Sequence, residues 1–336
     1  MRKLSVEKFI TSDQVTLDVR SPQEYHQGHI PGAVSFPLFS DEERKTIGTI
    51  YKQQSKQDAF KEGLRLVGPK MVDFVSKAES FKSNQIQVYC WRGGMRSGSM
   101  GWLLSQAGFD ISLMEGGYKR YRNAMLNFFQ QPLDLRILTG LTGSGKTLIL
   151  NELEALGAQI IDLEYIANHR GSSFGNALST SQPTTEQFQN NLYDAFLQKN
   201  QDHPIWLEDE SISIGRVYLP DALFAQMKTS KHYLLEVELD QRLDLLVQDY
   251  GQIPASKLKV ATDHISKKLG HEHMLKAKEA IDQGNLREAA RFLLTYYDRQ
   301  YSKSIKKKKN KVIAAVDGKN LTVTEIAQKI MKYHGH

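Results

Sequence analysis

Apolar residues in this chain gather into short runs separated by stretches with helical spacing, and the alternation occurs in two successive blocks. In the first, Val15-Thr16-Leu17-Asp18-Val19-Arg20 and Gln85-Ile86-Gln87-Val88-Tyr89 read as strands, being short, rich in β-branched residues and bounded by turn formers. Between them Pro22, Gly28, Pro31 and Gly32 mark turns rather than a long helix. Leu66, Val67, Met71, Phe74 and Val75 predict a helix over 64–77 that packs on the sheet. The stretch 41–54, DEERKTIGTIYKQQ, is too polar for core and is expected at a substrate instead. Trp102-Leu103-Leu104 starts a further helix, and 118–131 closes the block.

The second block follows a short Gln131-Pro132-Leu133-Asp134 linker. Its strands are expected at Leu135–Thr139, Gln159–Ile161, Pro204–Leu207, His232–Leu239 and Val312–Val316, with helices beginning at Leu148 and spanning Gln241–Tyr250 and Ile265–Ala280. Strands alternating with helices argue for a mostly parallel sheet covered on both faces, with ligands at the strands' carboxyl ends. The predicted fold class is therefore α/β, in two domains, 1–131 and 132–336.

Composition adds limits rather than direction. A chain of 336 residues, 40% hydrophobic and 24% charged, has room for two cores. One cysteine excludes an internal disulfide framework and suits a reducing compartment. The start, MRKLSVEKFI, lacks an apolar signal core, and no run is long enough to span a bilayer, so the expected location is the cytoplasm, with no membrane partner. The net charge of +6 is uneven: residues 1–131 hold 18 basic against 13 acidic side chains, and six lysines crowd between Lys303 and Lys311. That excess is compatible with a nucleic-acid partner and equally with a solvated loop.

Candidate chemistry sits at two strand ends. Cys90 lies where Gln85–Tyr89 stops and a helix begins, within YCWRGGMRSG. Gly93 and Gly94 let successive amides turn inward, while Arg92, Arg96 and the helix N-terminus add positive potential, a setting that favours thiolate. The Cys90-to-Arg96 spacing is C-x5-R, as in cysteine phosphatases, where a loop of this width cradles phosphate. The same width also suits selenium or a selenophosphate. In the second block Gly140-Leu141-Thr142-Gly143-Ser144-Gly145-Lys146-Thr147 fits the phosphate-loop pattern GxxxxGK[ST], after a strand and before a helix. In that pattern the amides of Gly140, Gly143, Ser144 and Gly145 surround phosphate, Lys146 reaches the outer oxygens, and Thr147 can hold Mg²⁺. Asp162 and the Glu208-Asp209-Glu210 cluster end neighbouring strands, so one of them is expected to hold a metal or position a nucleophile, with Asp209 joining Thr147 as the candidate Mg²⁺ pair. His169 and Arg170, in a Gly/Ser-rich stretch, are expected as phosphate donors.

The motifs LDVRSPQEY, GHIPGAV, the Cys90 loop and LMEGGYKRY, over residues 8–131, resemble the rhodanese family of α/β sulfurtransferases. That resemblance implies a cysteine carrying a chalcogen, with Asp18 and Arg20 supporting its loop; the loop itself is one residue longer than the common C-x-x-G-x-R. Joined to the phosphate-loop block, and with YKQQ (51–54), DLE (162–164), HRGSSFG (169–175), LEDES (207–211) and YYD (296–298), nearly the whole chain resembles the tRNA 2-selenouridine synthase family. The resemblance implies a bacterial enzyme that acts on 2-thiouridine at the wobble position in the anticodon of tRNA. Selenophosphate would supply selenium in place of sulfur, and geranyl diphosphate would alkylate that sulfur. No tightly bound cofactor is implied, and an enzyme producing selenophosphate is an expected partner. Ile212 stands where the family is expected to have arginine. Readings from other classes are a phosphate-loop kinase or ATPase with a regulatory rhodanese or phosphatase-like module, and a noncatalytic RNA-binding module.

Overall fold

Runs such as Ile205-Trp206-Leu207, buried along their whole length, require cover on both faces, and parallel sheets flanked by helices supply it. The computed structural model describes residues 1–169, 181–308 and 311–334, with side chains left undescribed at 267, 268, 300–308 and 334. Arg170, the 171–175 stretch and the side chains of Lys306 to Lys309 fall outside the described residues. The chain divides into two units, Met1–Phe128 and Phe129–His336.

In the first unit the strands are β1 (Arg2–Leu4), β2 (Val15–Asp18), β3 (Val34–Ser35), β4 (Gln85–Tyr89) and β5 (Asp110–Met114), all parallel in the order β1-β5-β4-β2-β3. Leu17, Val19, Ile86, Val88, Met100, Leu104 and Ile111 form its core. The helices are α1 (Val6–Ile10), α2 (Pro22–Gln27), α3 (Asp41–Gln53), α4 (Lys56–Val67), α5 (Met71–Glu79), α6 (Met95–Gln106) and α7 (Gly117–Gln130). The chain leaves β2 toward one edge and β4 toward the other, so the carboxyl ends of these adjacent strands form the crevice in which α/β sheets bind ligands.

Three expected boundaries shift for local reasons. β2 stops at Asp18 rather than Arg20, because the Asp18 carboxylate accepts the Arg20 backbone N–H at 3.0 Å and turns the chain. The single helix expected over 64–77 is two, α4 and α5, separated by a 3₁₀ turn at Gly68-Pro69-Lys70, since proline cannot continue a helix. Ile265–Ala280 is likewise divided at Gly270, whose φ of +93° is left-handed.

The second unit contains β6 (Leu135–Gly140), β7 (Gln159–Ile160), β8 (Ile205–Glu208), a β9–β10 hairpin (Ser213–Ile214, Val217–Tyr218), β11 (Lys231–Glu236) and β12 (Val312–Asp317). Its main sheet is parallel in the order β12-β11-β6-β8-β7, so β6 is central and β8 lies directly beside it. Helix α8 (Lys146–Ala155) follows β6; α9 (Leu163–Ile166), α10 (Thr185–Leu197) and α11 (Asp221–Thr229) come between the later strands. Helices α12 (Leu239–Tyr250), α13 (Ala255–Leu269), α14 (His271–Asp282) and α15 (Leu286–Lys308) precede β12 and share a separate core of Leu258, Ala261, Ile265, Ala277, Ile281 and Leu293. Helix α16 (Val323–His334) ends the chain and packs Ile326 and Ile330 against the sheet. Among the described residues no helix is long and apolar enough to cross a membrane.

Candidate active site

Cys90 leaves β4 at the mouth of the first crevice, with its side chain 3% exposed and Sγ 3.2 Å from Ser97 Oγ. Ser97 sits in the first turn of α6 and its hydroxyl donates to the Gly94 carbonyl at 3.2 Å. Gly93 is left-handed at φ +64°, and a Cβ there would meet the Met114 carbonyl oxygen at 2.6 Å. Gly117, from the LMEGGYKRY motif, is also left-handed and its missing Cβ would collide with the Cys90 carbonyl oxygen. The Tyr118 N–H donates to that same carbonyl at 2.9 Å, and Lys119 N–H donates to the Trp91 carbonyl at 2.9 Å. Two distant glycine motifs are thus explained by one close packing of backbones around the cysteine loop.

Asp18 and Arg20 lie below the loop as a buried ion pair. Arg20 is 1% exposed and donates from Nε and Nη2 to Asp18, the shortest bond being 2.6 Å, and from Nη2 to the Gly28 carbonyl at 2.6 Å. Its guanidinium carbon stands 3.8 Å from the Tyr118 ring centroid. Burial works against the Arg20 charge, but the hydrogen bonds and charge of Asp18 outweigh it, so the guanidinium holds its proton more tightly than usual. The pair therefore braces GHIPGAV and the segment after β5 together. Asp18→Asn would leave the arginine charge buried with half its partner, and a loss of about 3–5 kcal/mol is expected. Urea unfolding followed on the first unit's transition measures it.

Arg96 is already paired with a carboxylate. Its Nη1 and Nη2 donate to Glu24 Oε2 and Oε1 at 2.5 and 3.2 Å. Glu24 also closes the capping box of α2 on Ser21, and Arg44 Nε lies 3.8 Å from it. Burial raises the Glu24 pKa, but the Arg96 hydrogen bond and charge outweigh it, so the group is held below its usual range. Arg92 and Arg96 both line an open cavity of about 600 Å³ together with Cys90, and the far wall is built from α3 and α4. The polar 41–54 stretch is thus a helix, and Arg44, Ile47, Gly48, Tyr51 and Lys52 all reach this cavity. Glu24 and Ser97 escaped the sequence reading; the SPQE capping-box pattern was the available signal for the first.

In the second unit the phosphate loop follows β6, and its shape follows from its glycines. Gly143 and Gly145 are left-handed at φ +77° and +74°, and Gly145 caps α8. A Cβ at Gly140 would meet Ser144 Oγ at 2.6 Å. Arg242 of α12, buried, donates from Nε to the Thr142 carbonyl at 2.9 Å and pairs with Asp298 at 2.5 and 3.0 Å. The YYD motif therefore braces the loop through Arg242, which the sequence reading missed. The loop faces a cavity of about 260 Å³ lined by Thr142 to Leu148, Glu164, Glu210, Asp249 and Tyr250.

Carboxylates gather at this cavity, though not in the expected set. Thr147 Oγ1 donates to Glu208 Oε1 at 2.6 Å, whereas Asp209 is turned to Thr139, whose hydroxyl donates to it at 3.1 Å. Asp162 caps α9 by accepting the Tyr165 N–H at 2.8 Å, which brings Glu164 inward. Oxygens of Glu164, Glu208 and Glu210 lie within 4.8 Å of one another. Among the described residues, Glu208 Oε2 and Ser144 Oγ are buried without a hydrogen-bond partner. Three carboxylates, a hydroxyl and orphaned oxygen atoms suit a hard divalent cation such as Mg²⁺. His169 is buried with Cδ2 against Gly215 of the β9–β10 hairpin, where a Cβ would meet it at 2.7 Å. The carbonyl of Ile212 accepts the Leu219 N–H at 2.9 Å, closing the same hairpin.

Burial, then the charges of Glu164 and Asp162, push Glu208 up to about 8, and burial with Glu164 also raises Glu210. A carboxyl raised on folding binds protons in the native state that the unfolded chain has released. Stability therefore falls as pH rises from the ordinary carboxylate range toward 8, and is flat above it. Without divalent cation, the melting temperature of the second unit should decline between about pH 6 and 8. Glu208→Gln should remove much of that slope, as scanning calorimetry can show.

Two family models cover these units: Rhodanese-like domain over residues 5–124, and tRNA 2-selenouridine synthase AAA domain over 133–333. A tRNA 2-selenouridine synthase of Nitrosomonas europaea is 36% identical over 71% of this chain, the match spanning 64% of that protein. Proteins of the same name from Shewanella pealeana and Marinobacter nauticus are 34% and 33% identical over 91% and 94% of this chain, and 93% and 95% of their own lengths. With a rhodanese unit built around Cys90, a phosphate-loop unit carrying the carboxylate trio, and likeness running almost end to end, the chain belongs to the tRNA 2-selenouridine synthase family.

Proposed function

We propose that this chain is a transferase that converts 2-thiouridine at the wobble position of tRNA to 2-selenouridine, in the cytoplasm, by way of an S-geranyl intermediate. In the first step the C2 sulfur attacks C1 of geranyl diphosphate; the C–O bond breaks, diphosphate leaves with its electron pair, and N3 loses its proton. In the second, selenium of selenophosphate adds to C2 and geranylthiolate departs. Water then cleaves the Se–P bond, giving phosphate and the selenocarbonyl. Alkylation matters because sulfide is a poor leaving group, whereas a thiolate leaves readily.

The observation that carries this reading is what adjoins the phosphate loop. Beside the polar cavity lies a narrow apolar pocket of about 50 Å³, lined by Leu246, Val247, Leu258, Ile281, Leu293 and Tyr297 among others, and the two share Thr142, Leu246 and Tyr250. A diphosphate joined to a hydrocarbon matches that pairing, whereas a nucleoside would bury ring nitrogens and hydroxyls against a lining whose only polar side chains are those of Thr142, Tyr250 and Tyr297. The chain must widen the pocket to seat a geranyl group. The loop amides and Lys146 would hold the diphosphate, and Thr147, Glu164, Glu208 and Glu210 are the residues that would hold Mg²⁺. Such an ion, when bound, neutralises charge on the departing diphosphate. Cys90 would position the selenium donor for that attack in the first unit, with Arg92 beside it.

Nucleoside mass analysis of tRNA from cells lacking the protein tests the reading. The expected result is loss of both 2-selenouridine and S-geranyl-2-thiouridine, with 2-thiouridine retained. Unchanged 2-selenouridine would overturn it.

A further inference from the structure

The cavity at Cys90 is far larger than the anion it is meant to serve. Selenophosphate has five heavy atoms, whereas about 600 Å³ is the size of a pocket for a multi-ring organic ligand. Its far wall is only lightly tied to the core: α3 buries none of its residues, α4 buries only Ala59, and Ile47, Leu66 and Val67 rest half-buried against it. Tyr51 and Phe60, one on each helix, stay 46% and 51% exposed, and Trp91 from the cysteine loop stays 37% exposed. The Trp91 indole is steadied by Tyr118 at 5.7 Å between centroids. Cationic Arg44, Lys52 and Arg92 share the same walls.

Half-exposed aromatics around a void, interleaved with cations, are the features with which proteins hold an unstacked base while its phosphates remain outside. We infer that this cavity receives the target nucleobase itself, extruded from the tRNA loop, with Tyr51, Phe60 and Trp91 as stacking walls and the Cys90 sulfur within its reach. The inference rests on the proposed tRNA reading and adds the place where the base is held for the selenium step. Extrusion costs little in a single-stranded loop, since no base pair is broken. The apolar remainder of the walls, Ile47, Leu64 and Val67 among them, suits a base whose sulfur carries an alkyl group.

A short RNA hairpin with 4-thiouridine at the target position, irradiated with the full chain, provides the test. Crosslinked peptides mapped by mass spectrometry should fall within 44–64 or 90–99. Tyr51→Ala and Phe60→Ala, at exposed sites that leave the fold intact, should each weaken hairpin binding by about tenfold and lower the crosslink yield, with Tyr51→Phe restoring both. Crosslinks confined to other peptides, with binding intact, would overturn this inference alone. No binding of the hairpin by the unaltered chain would overturn the tRNA reading along with it.

Discussion

Lys146→Ala is expected to slow geranyl transfer to thiolated tRNA by about two or more orders of magnitude. On the proposed reading the loop amides and this lysine would supply preorganised positive charge where the diphosphate leaves, and such groups act mainly on the transition state. The loop's shape should survive, because it is set by Gly140, Gly143 and Gly145 and braced by Arg242 on Thr142, none of which depends on the lysine. Substrate binding should suffer less than turnover. Chemically geranylated tRNA should still be converted to selenouridine by the variant, because that step is assigned to Cys90 in the other unit. Purified protein supplied with thiolated tRNA and geranyl diphosphate, with and without ATP, distinguishes the alternatives. An absolute need for ATP, or normal geranylation by the variant, would return the loop to a kinase, an ATPase or a structural role.

Much of this arrangement was legible in the sequence because it rests on local rules. Glycines at forced backbone positions, a phosphate-loop pattern between strand and helix, and short buried strands each leave a local mark. Carboxylate pairing was less legible. Glu208 and Asp209 are adjacent in the chain, but a strand sends successive side chains to opposite faces, so only Glu208 meets Thr147 while Asp209 turns to Thr139. Glu164 joins them only because Asp162 caps a short helix. Arg96 shows a second limit: its spacing from Cys90 fits a phosphate clamp, yet Glu24, far away in sequence, holds its guanidinium. Long-range contacts of this kind carry no periodic signal. Polarity in α3 pointed correctly away from the core, but only the fold reveals that α3 and α4 together wall the cavity at Cys90.

Cys90→Ser should abolish selenium incorporation, by on the order of a thousandfold or more, while leaving geranylation nearly unchanged. The substitution shortens the side chain's reach only slightly and keeps a hydrogen-bonding atom facing Ser97, so the loop held by Gly93, Gly117 and Tyr118 should persist. What is lost is chemical: an alcohol has neither the nucleophilicity nor the polarisable sulfur of a thiol, so it cannot position the selenium donor against C2 in the same way. Nucleoside analysis should then show S-geranyl-2-thiouridine accumulating in the variant's tRNA, because the first step proceeds and the second stops. The comparison separates two roles that activity alone would merge. If the Cys90→Ser chain forms selenouridine normally, the sulfur has no part in the selenium step and Cys90 is only a wall of the cavity. If geranylation falls with it, the two units share one catalytic step, and the division of labour between Cys90 and Lys146 is wrong.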